Sequence, residues 1–219
     1  MTFSGIHKTF LCCLFLLVLA PAWASDRVVI ADFSQGVDDQ GIPKGWKLKE
    51  KSGKADFSLA REGAMHALHL RSADTSFSIQ KLVSVDLEQY PRMSWKWKVT
   101  KLPAGGDFRK TKTDDQAAQL FLAFSKTKAI VYIWDTTAPQ GMMEDAPAPP
   151  FMSIKAVVVR SGAEKTGTWI HETRNVYDDY KKLFGKAPTP VDGVRLQINS
   201  QHTGTAAESY FADVMFKKQ

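Results

Sequence analysis

Short runs of β-branched and aromatic residues, separated by turn residues, dominate this chain and leave little room for helices. About ten such runs occur, at residues 27–33, 67–72, 77–85, 93–99, 119–124, 129–134, 154–159, 168–176, 194–199 and 210–216. Several alternate apolar and polar residues with a period of two, which is typical of half-buried antiparallel strands. The pattern predicts an all-β fold, specifically a two-sheet antiparallel β-sandwich of jelly-roll type.

One stretch, NVYDDYKKLFGKAPTP, has the spacing of a helix instead. Its apolar residues recur at i, i+4, i+7 and i+8, which places them on one helical face. These residues are Val176, Tyr180, Leu183 and Phe184. Gly185 supplies a C-cap, and two prolines beyond it stop any continuation. We therefore expect one short helix near residues 175–185.

The first 24 residues have the three parts of a secretory signal peptide. Lys8 lies in a charged start, Phe10–Ala20 is apolar, and an Ala-Trp-Ala cleavage site follows. The apolar run is short for a membrane span, and no second one follows it. We expect cleavage after Ala24, a single β-sandwich domain over residues 25–219, and a periplasmic or secreted protein without a transmembrane segment. A retained anchor is the alternative.

Cysteine content and charge narrow the classes of function. Cys12 and Cys13 are the only cysteines and leave with the signal, so the mature chain has neither a disulfide nor thiolate chemistry. The formal net charge is +6, and the lysines are scattered rather than massed in one tract. Export argues against nucleic acid as a partner. A basic surface favours an anionic envelope glycan or another envelope component, and a solvated basic surface is the alternative.

Alternation along the strands also sorts side chains by face. If the strands are neighbours, one outer sheet face carries a mixed aromatic and polar set: Tyr132, Trp134, Arg160, Glu172, Arg174, Arg195, Gln197 and Asn199. All of these except Arg195 and Asn199 are candidate ligand residues. Aromatic rings stack on sugars, and planar guanidinium and amide groups match hydroxyl pairs or carboxylates. We expect this face to bind a glycan, uncharged or acidic. An outer face held together by cross-strand Arg–Glu pairs is the alternative.

Carboxylates offer candidates for catalysis. Glu172 together with Asp114, Asp115 or Asp179 has the residue types of a glycosidase acid and base. Asp114 and Asp115 stand directly before an apolar strand, and a solvated loop end is the alternative for them. The sequence leaves the question of enzyme activity open: a glycan-cleaving hydrolase or lyase with paired carboxylates is the alternative to binding without reaction.

Two further features have a functional and a structural interpretation. Asp32 and Asp213 lie near opposite chain ends, which sandwich modules often pair, so they are candidates for a shared structural calcium ion. Turn capping is the alternative, and no other cofactor is expected. The Pro-rich stretch at residues 138–151 is a long loop of the kind that borders binding surfaces. It suggests an envelope protein-interaction domain, or else a spacer.

Several motifs resemble the bacterial domain-of-unknown-function 3047 family. They are DDQAAQLFLAF, YIWD, VVVRSG, W-x-x-E-x-R-N-V at 169–176, D-x-x-x-L-F-G at 179–185 and the closing YFADVMF. The resemblance covers most of the mature chain and implies an exported β-sandwich, without implying an activity. It marks Asp114, Asp115, Trp134, Arg160, Glu172, Arg174, Asn175 and Asp179 as motif positions. The stretches at 45–72 and 83–99 are also similar, generically, to carbohydrate-binding β-sandwich modules.

Overall fold

A computed structural model of the chain describes Met1 and residues 25–218. Apart from Met1, the predicted signal peptide therefore lies outside the described residues. In chain order the elements are β1 (Arg27–Ala31), β2 (Lys47–Ser52), β3 (Asp56–Glu62), β4 (Met65–Ala73), β5 (Ser76–Val85), β6 (Arg92–Lys101), a 3-10 turn (Thr111–Thr113), β7 (Ala118–Ala123), β8 (Lys128–Asp135), β9 (Met143–Asp145), β10 (Ser153–Ser161), β11 (Ile170–Asn175), α1 (Val176–Phe184), β12 (Val191–Asn199) and β13 (Ala206–Lys217).

The strands form two sheets that share one apolar core. The six-stranded sheet has the order β11-β6-β13-β4-β3, with β1 paired to β13. The seven-stranded sheet has the order β2-β5-β12-β7-β8-β10-β9. The predicted β-sandwich with one short helix is thereby confirmed.

All ten predicted strands are present, and the sequence missed β2, β3 and β9. Each of these three lies at the edge of a sheet. Edge strands commonly carry charged residues, which discourage pairing with other chains. The sequence of β2, KLKEKS, shows why such a strand is hard to recognise: its charges obscure the β pattern.

One pair of strands departs from the antiparallel expectation. β8 and β10 run parallel, with Lys155 opposite Ile130. Parallel neighbours require a long connection, and residues 136–152 supply it. Part of that connection, β9, folds back as an antiparallel edge strand on β10.

The helix ends at the predicted Gly185 cap, and the structure shows that Asn175 caps its start. The Asn175 side chain accepts a hydrogen bond from the Asp178 backbone N–H at 3.2 Å, which satisfies one free amide of the first turn. Gly185 ends the helix with a φ of 70°, a left-handed conformation that favours glycine. In the described part of the chain, no helix is long and apolar enough to span a membrane.

Aromatic residues from both sheets meet at the centre of the core. Trp95 and Trp97 on β6 lie opposite Tyr132 and Trp134 on β8. The ring centroids are 5.4 Å apart for Trp95 and Tyr132, and 5.9 Å apart for Trp97 and Trp134. All four side chains are fully buried.

A second, smaller apolar cluster lies on the other side of β8 and β10. It contains Phe108, Val131, Ile133, Ala138, Ala156 and Val158, with Phe121, Met142, Ala146 and Ile154 packed against it. Three of these, Ala138, Met142 and Ala146, belong to the 138–151 loop. The loop is therefore packed onto the sheet, and it covers the outer side of β8 that would otherwise face solvent.

Candidate functional site

Tyr132 and Trp134 do not form an outer aromatic platform. Both have no exposed surface, because the row of β8 that contains them faces the other sheet. The expected outward orientation was wrong for a physical reason: both rows of β8 are apolar, and the loop at 138–151 covers the opposite row. A ring without accessible surface has no face to offer a sugar.

Arg160 and Glu172 join the two sheets by an ion pair. Arg160 Nε lies 2.7 Å from Glu172 Oε1, and the same oxygen accepts a hydrogen bond from Trp97 Nε1 at 3.2 Å. A register shift next to Val159 turns Arg160 toward this partner. The carboxylate raises the pKa of the Arg160 guanidinium, and only 7% of Glu172 is exposed.

Arg174 takes part in a similar contact beside the helix. Its Nε donates to Asp179 Oδ2 at 3.0 Å, and the Tyr132 hydroxyl donates to the same oxygen at 2.8 Å. Burial raises the pKa of Tyr132 well above its ordinary value. This group ties β11, α1 and β8 together and satisfies the polar atoms of a buried phenol.

The structure therefore brings five of the six expected ligand residues together, but between the sheets. Tyr132, Trp134, Arg160, Glu172 and Arg174 are buried or engaged with one another and with neighbouring core groups. The prediction that they share an outer patch is wrong. Gln197 is separate from them and does lie on the outer face, on the seven-stranded sheet.

The suggested catalytic carboxylates are not neighbours in this arrangement. Glu172 is held by Arg160 and Trp97, whereas Asp114 and Asp115 contact the turn after β12. Within residues 25–218, no contact joins Glu172 to either aspartate. The geometry does not assemble the expected acid and base pair.

Asp114 and Asp115 are also not a solvated loop end. Asp115 is fully buried and accepts from the Thr203 backbone N–H at 2.6 Å. Its other oxygen has no hydrogen-bond donor among the described residues; His202 Nδ1 lies 3.4 Å away but only 3.0 Å from the Asp114 carbonyl oxygen. Burial raises the pKa of Asp114 to about 6, which a hydrogen bond from Gln116 partly offsets.

Asp32 and Asp213 each have a local partner. Asp32 accepts from the Ser34 N–H at 3.0 Å and hydroxyl at 2.9 Å, and these bonds lower its pKa. Asp213 pairs with Lys96 at 2.9 Å. In the part of the chain that the structure describes, no group of three or more His, Cys, Asp or Glu residues is arranged to hold a metal ion. A shared calcium ion stays a prediction.

The outer face of the seven-stranded sheet contains a concavity of about 480 Å³. Its floor is a row of small residues that crosses three strands, namely Gly193, Ala123 and Ala129. The neighbouring row is large, with Gln80, Arg195 and Phe121 side by side on β5, β12 and β7. The step from small to large side chains creates the hollow. The remaining lining residues are Gly45, Lys47, Lys81, Leu82, Ser125, Lys126, Asp192 and Val194.

Arg195 is the most distinctive side chain in this concavity. Its guanidinium lies over the Phe121 ring, 5.1 Å from the centroid. The side chain is half-buried, and this burial lowers its pKa. Across residues 25–218 it forms no ion pair, and the same is true of Lys47 and Lys126.

The next row of the same face carries amide groups. Gln197 Nε2 donates to Gln119 Oε1 at 3.1 Å, and Gln119 in turn donates to Asn199 Oδ1. Asn199 Nδ2 donates to the Asp114 carbonyl oxygen at 2.6 Å. This ladder of amides fixes the orientation of Gln197 beside the concavity and connects it to the loop at Asp114.

The residues of this surface differ in how clearly the sequence predicts their position. Alternation in VRLQIN places Arg195, Gln197 and Asn199 on one polar row, so the sequence predicts that Arg195 faces outward, although it does not single Arg195 out as a ligand residue. The signal for Phe121 was weaker, because β7 reads AQLFLA and Gln119 is the one polar residue on the side of this strand that contains Phe121. Lys47 lies on an edge strand that the sequence did not reveal.

Three solved structures with similar folds are remote from this chain in sequence. A family 11 carbohydrate-binding module of a cellulosomal cellulase from Clostridium thermocellum is 8% identical, with a TM-score of 0.48 and coverage of 90% of this chain and 96% of that one. The xyloglucanase domain of a type three effector from Sinorhizobium fredii, in complex with cellobiose, is 8% identical, with a TM-score of 0.49 and coverage of 80% and 93%.

An adhesin domain of Lys-gingipain from Porphyromonas gingivalis is 11% identical, with a TM-score of 0.47 and coverage of 89% of this chain and 99% of that one. These likenesses carry no ligand and no site over to this chain. No curated protein sequence matches it. The family model described as protein of unknown function, DUF3047, matches residues 44–215, and the chain belongs to this family.

Proposed function

We propose that the protein is an exported envelope protein that binds a glycan in the concavity on the outer face of its seven-stranded sheet. The observation that carries this proposal is the group formed by Phe121, Arg195 and Gln80 above a floor of small residues. Concave sites lined by apolar surface and a few polar groups are the usual form of small-ligand sites.

The concavity offers the two kinds of contact that sugars need. Phe121 and the exposed Leu82 provide apolar surface for the C–H face of a sugar ring. Gln80 and Arg195 provide planar donors that fit pairs of hydroxyl groups. Because neighbouring strands set these side chains in register, the surface is formed before a ligand arrives, which reduces the entropy cost of binding.

The width of the hollow suits a chain rather than one sugar. It crosses β2, β5, β12, β7 and β8, which are five adjacent strands of the sheet. Strands lie about 4.8 Å apart, so five strands extend over about 20 Å. An oligosaccharide of several units fits this span.

Binding is tested with a panel of neutral and acidic oligosaccharides and the mature chain. We expect Phe121→Ala to weaken, at least tenfold, the binding of the oligosaccharide that the wild-type chain prefers. Trp169→Ala is the matched control. This residue directly precedes β11 of the six-stranded sheet, and its indole N–H donates to Glu62, away from the concavity. Loss in Trp169→Ala without loss in Phe121→Ala would place the binding surface elsewhere.

A second variant separates binding from folding, because Phe121 also packs against the second apolar cluster. Ala123→Asn puts a larger side chain on the floor of the concavity without removing a core contact. We expect normal thermal unfolding and at least tenfold weaker binding. If the wild-type chain binds none of the oligosaccharides in the panel, the proposal is contradicted.

Export is tested separately by expressing the full chain with its own leader and analysing the periplasmic fraction. We expect a mature N-terminus at Ser25, directly after the proposed cleavage site. An intact leader on a cytoplasmic protein would rule out this part of the proposal.

A further inference from the structure

The cations of the concavity have no counterions of their own. Its lining cations are Lys47, Lys81, Lys126 and Arg195, and the carboxylate of Asp192 is the acidic side chain among the lining residues. Lys81 donates to the Ile30 carbonyl oxygen, and among the described residues none of these five side chains forms an ion pair. The hollow therefore has a net positive charge, and low-dielectric walls focus the field of such a cleft.

Among these cations, Arg195 has its charge in the least favourable environment, because its guanidinium is half-buried without a counterion among residues 25–218. Burial of a charge without a partner is unfavourable, and it lowers the pKa of this guanidinium. Phe121 compensates in part through the cation–π contact, which occupies one face of the group. The N–H donors at its edge remain for a ligand, and their fork matches the two oxygens of a carboxylate or sulfate.

We propose that the concavity selects anionic sugar chains, with an acidic group of the chain seated on Arg195 and further acidic groups near Lys47 and Lys126. This inference rests on the proposed glycan-binding function and names its ligand class. The shared chemistry is a sugar ring that bears a planar or tetrahedral oxyanion, either a uronic acid or a sulfate ester.

Three oligosaccharides of equal length test this selection by calorimetric titration: an oligogalacturonate, a sulfated galactan and a neutral galactan. We expect at least one anionic chain to bind about tenfold or more tightly than the neutral chain, since charge-assisted hydrogen bonds are the stronger class. Raising the salt concentration from about 50 to about 300 mM weakens only the anionic chains, because screening acts on the charge term.

Arg195→Gln is the decisive variant. We expect it to weaken the preferred anionic chain about tenfold or more and the neutral chain by less than about twofold. Arg61→Gln is the matched control: it removes the same charge from β3, where Arg61 bonds only to the Gly63 carbonyl oxygen. This control leaves the affinity for the anionic chain unchanged.

The outcomes separate this inference from the function on which it rests. Equal affinity for anionic and neutral chains, or a preference that survives Arg195→Gln, overturns the inference and leaves glycan binding intact. An equal loss in Arg61→Gln also overturns it, because the preference would then reflect overall charge. Failure of all three chains to bind overturns the inference, and the proposed function falls with it only if the wild-type chain also binds no glycan of the wider oligosaccharide panel.

Discussion

The two outer sheet faces of this sandwich treat charge in opposite ways. On the six-stranded sheet, several cations have acidic partners: Arg71 bonds to Asp56 and Lys98 to Glu62. On the seven-stranded sheet, Arg195 has no ion-pair partner within residues 25–218 and rests on an aromatic ring. The six-stranded face pairs several of its cations internally, whereas the cations of the concavity on the seven-stranded face stay available to a ligand.

The paired face is also internally connected. Glu208 accepts hydrogen bonds from His69 at 2.6 Å and from the Thr100 hydroxyl at 2.7 Å. The His69 ring stacks on Tyr210 with centroids 4.0 Å apart. Cross-strand pairs of this kind stabilise a sheet. We infer that the pairs on this face increase the unfolding free energy. The seven-stranded face forgoes such a contribution, because the N–H donors of Arg195 stay unpaired within the described chain.

The largest expected effect separates the interior from both outer faces. Trp134→Ala removes a fully buried indole and should cost about 3–5 kcal/mol of unfolding free energy. Phe121→Ala removes a half-buried ring on the outer face and should cost about 1 kcal/mol. Urea denaturation measures both. Equal losses would mean that Phe121 belongs to the core and would break the comparison of faces.

The second effect compares one charged residue from each face. Glu208→Ala leaves His69 and Thr100 without their acceptor and should lower the unfolding free energy by about 1–2 kcal/mol. Arg195→Met keeps the aliphatic stem over Phe121 and should change it by less than about 0.5 kcal/mol. A greater loss in Arg195→Met would show that this cation stabilises the fold after all.

The third effect concerns the acid at the end of the seven-stranded sheet. Asp114 pairs with no cation in the described chain, and its pKa is raised from 3.8 to about 6 by burial. The folded chain therefore holds this proton over a range in which the unfolded chain has released it. The unfolding free energy then falls as pH rises from about 4 to about 6.

Asp114→Asn removes this loss of unfolding free energy above about pH 6, because an asparagine carries no charge that burial would disfavour. We expect the variant to gain about 1 kcal/mol at pH 7 and nothing at pH 4, where the wild-type carboxyl is protonated as well. Chemical denaturation at the two pH values measures the difference. The Gln116 hydrogen bond is kept, because the asparagine oxygen also accepts it. A gain of equal size at both pH values would contradict the assignment to titration.

The smallest expected effect is that of a substitution that places a carboxylate opposite Arg195 on the seven-stranded face. Gln80 is directly opposite Arg195 on the neighbouring strand, so Gln80→Glu creates a cross-strand ion pair. We expect a stability gain of about 0.5 kcal/mol and weaker binding of anionic chains. Gln40→Glu, on an exposed turn, is the control for added charge. Unchanged anion binding in Gln80→Glu would separate Arg195 from the ligand site.

The sequence by itself determined the local structure of this protein. Runs of β-branched and aromatic residues located ten of the strands, and the apolar spacing together with the Gly185 C-cap located the helix, because these signals depend only on neighbouring residues. It also grouped Tyr132 with Trp134 correctly on one side of β8. Alternation states which residues share a side, but not which side is covered.

Only the tertiary structure decided that question. β8 is apolar on both sides, and the loop at 138–151 covers one of them, so Tyr132 and Trp134 face the other sheet. Likewise, the register of β5, β12 and β7 sets Gln80, Arg195 and Phe121 in one row, although they are far apart in the chain. Long-range register and the packing of a loop depend on contacts between distant segments, which no local pattern records.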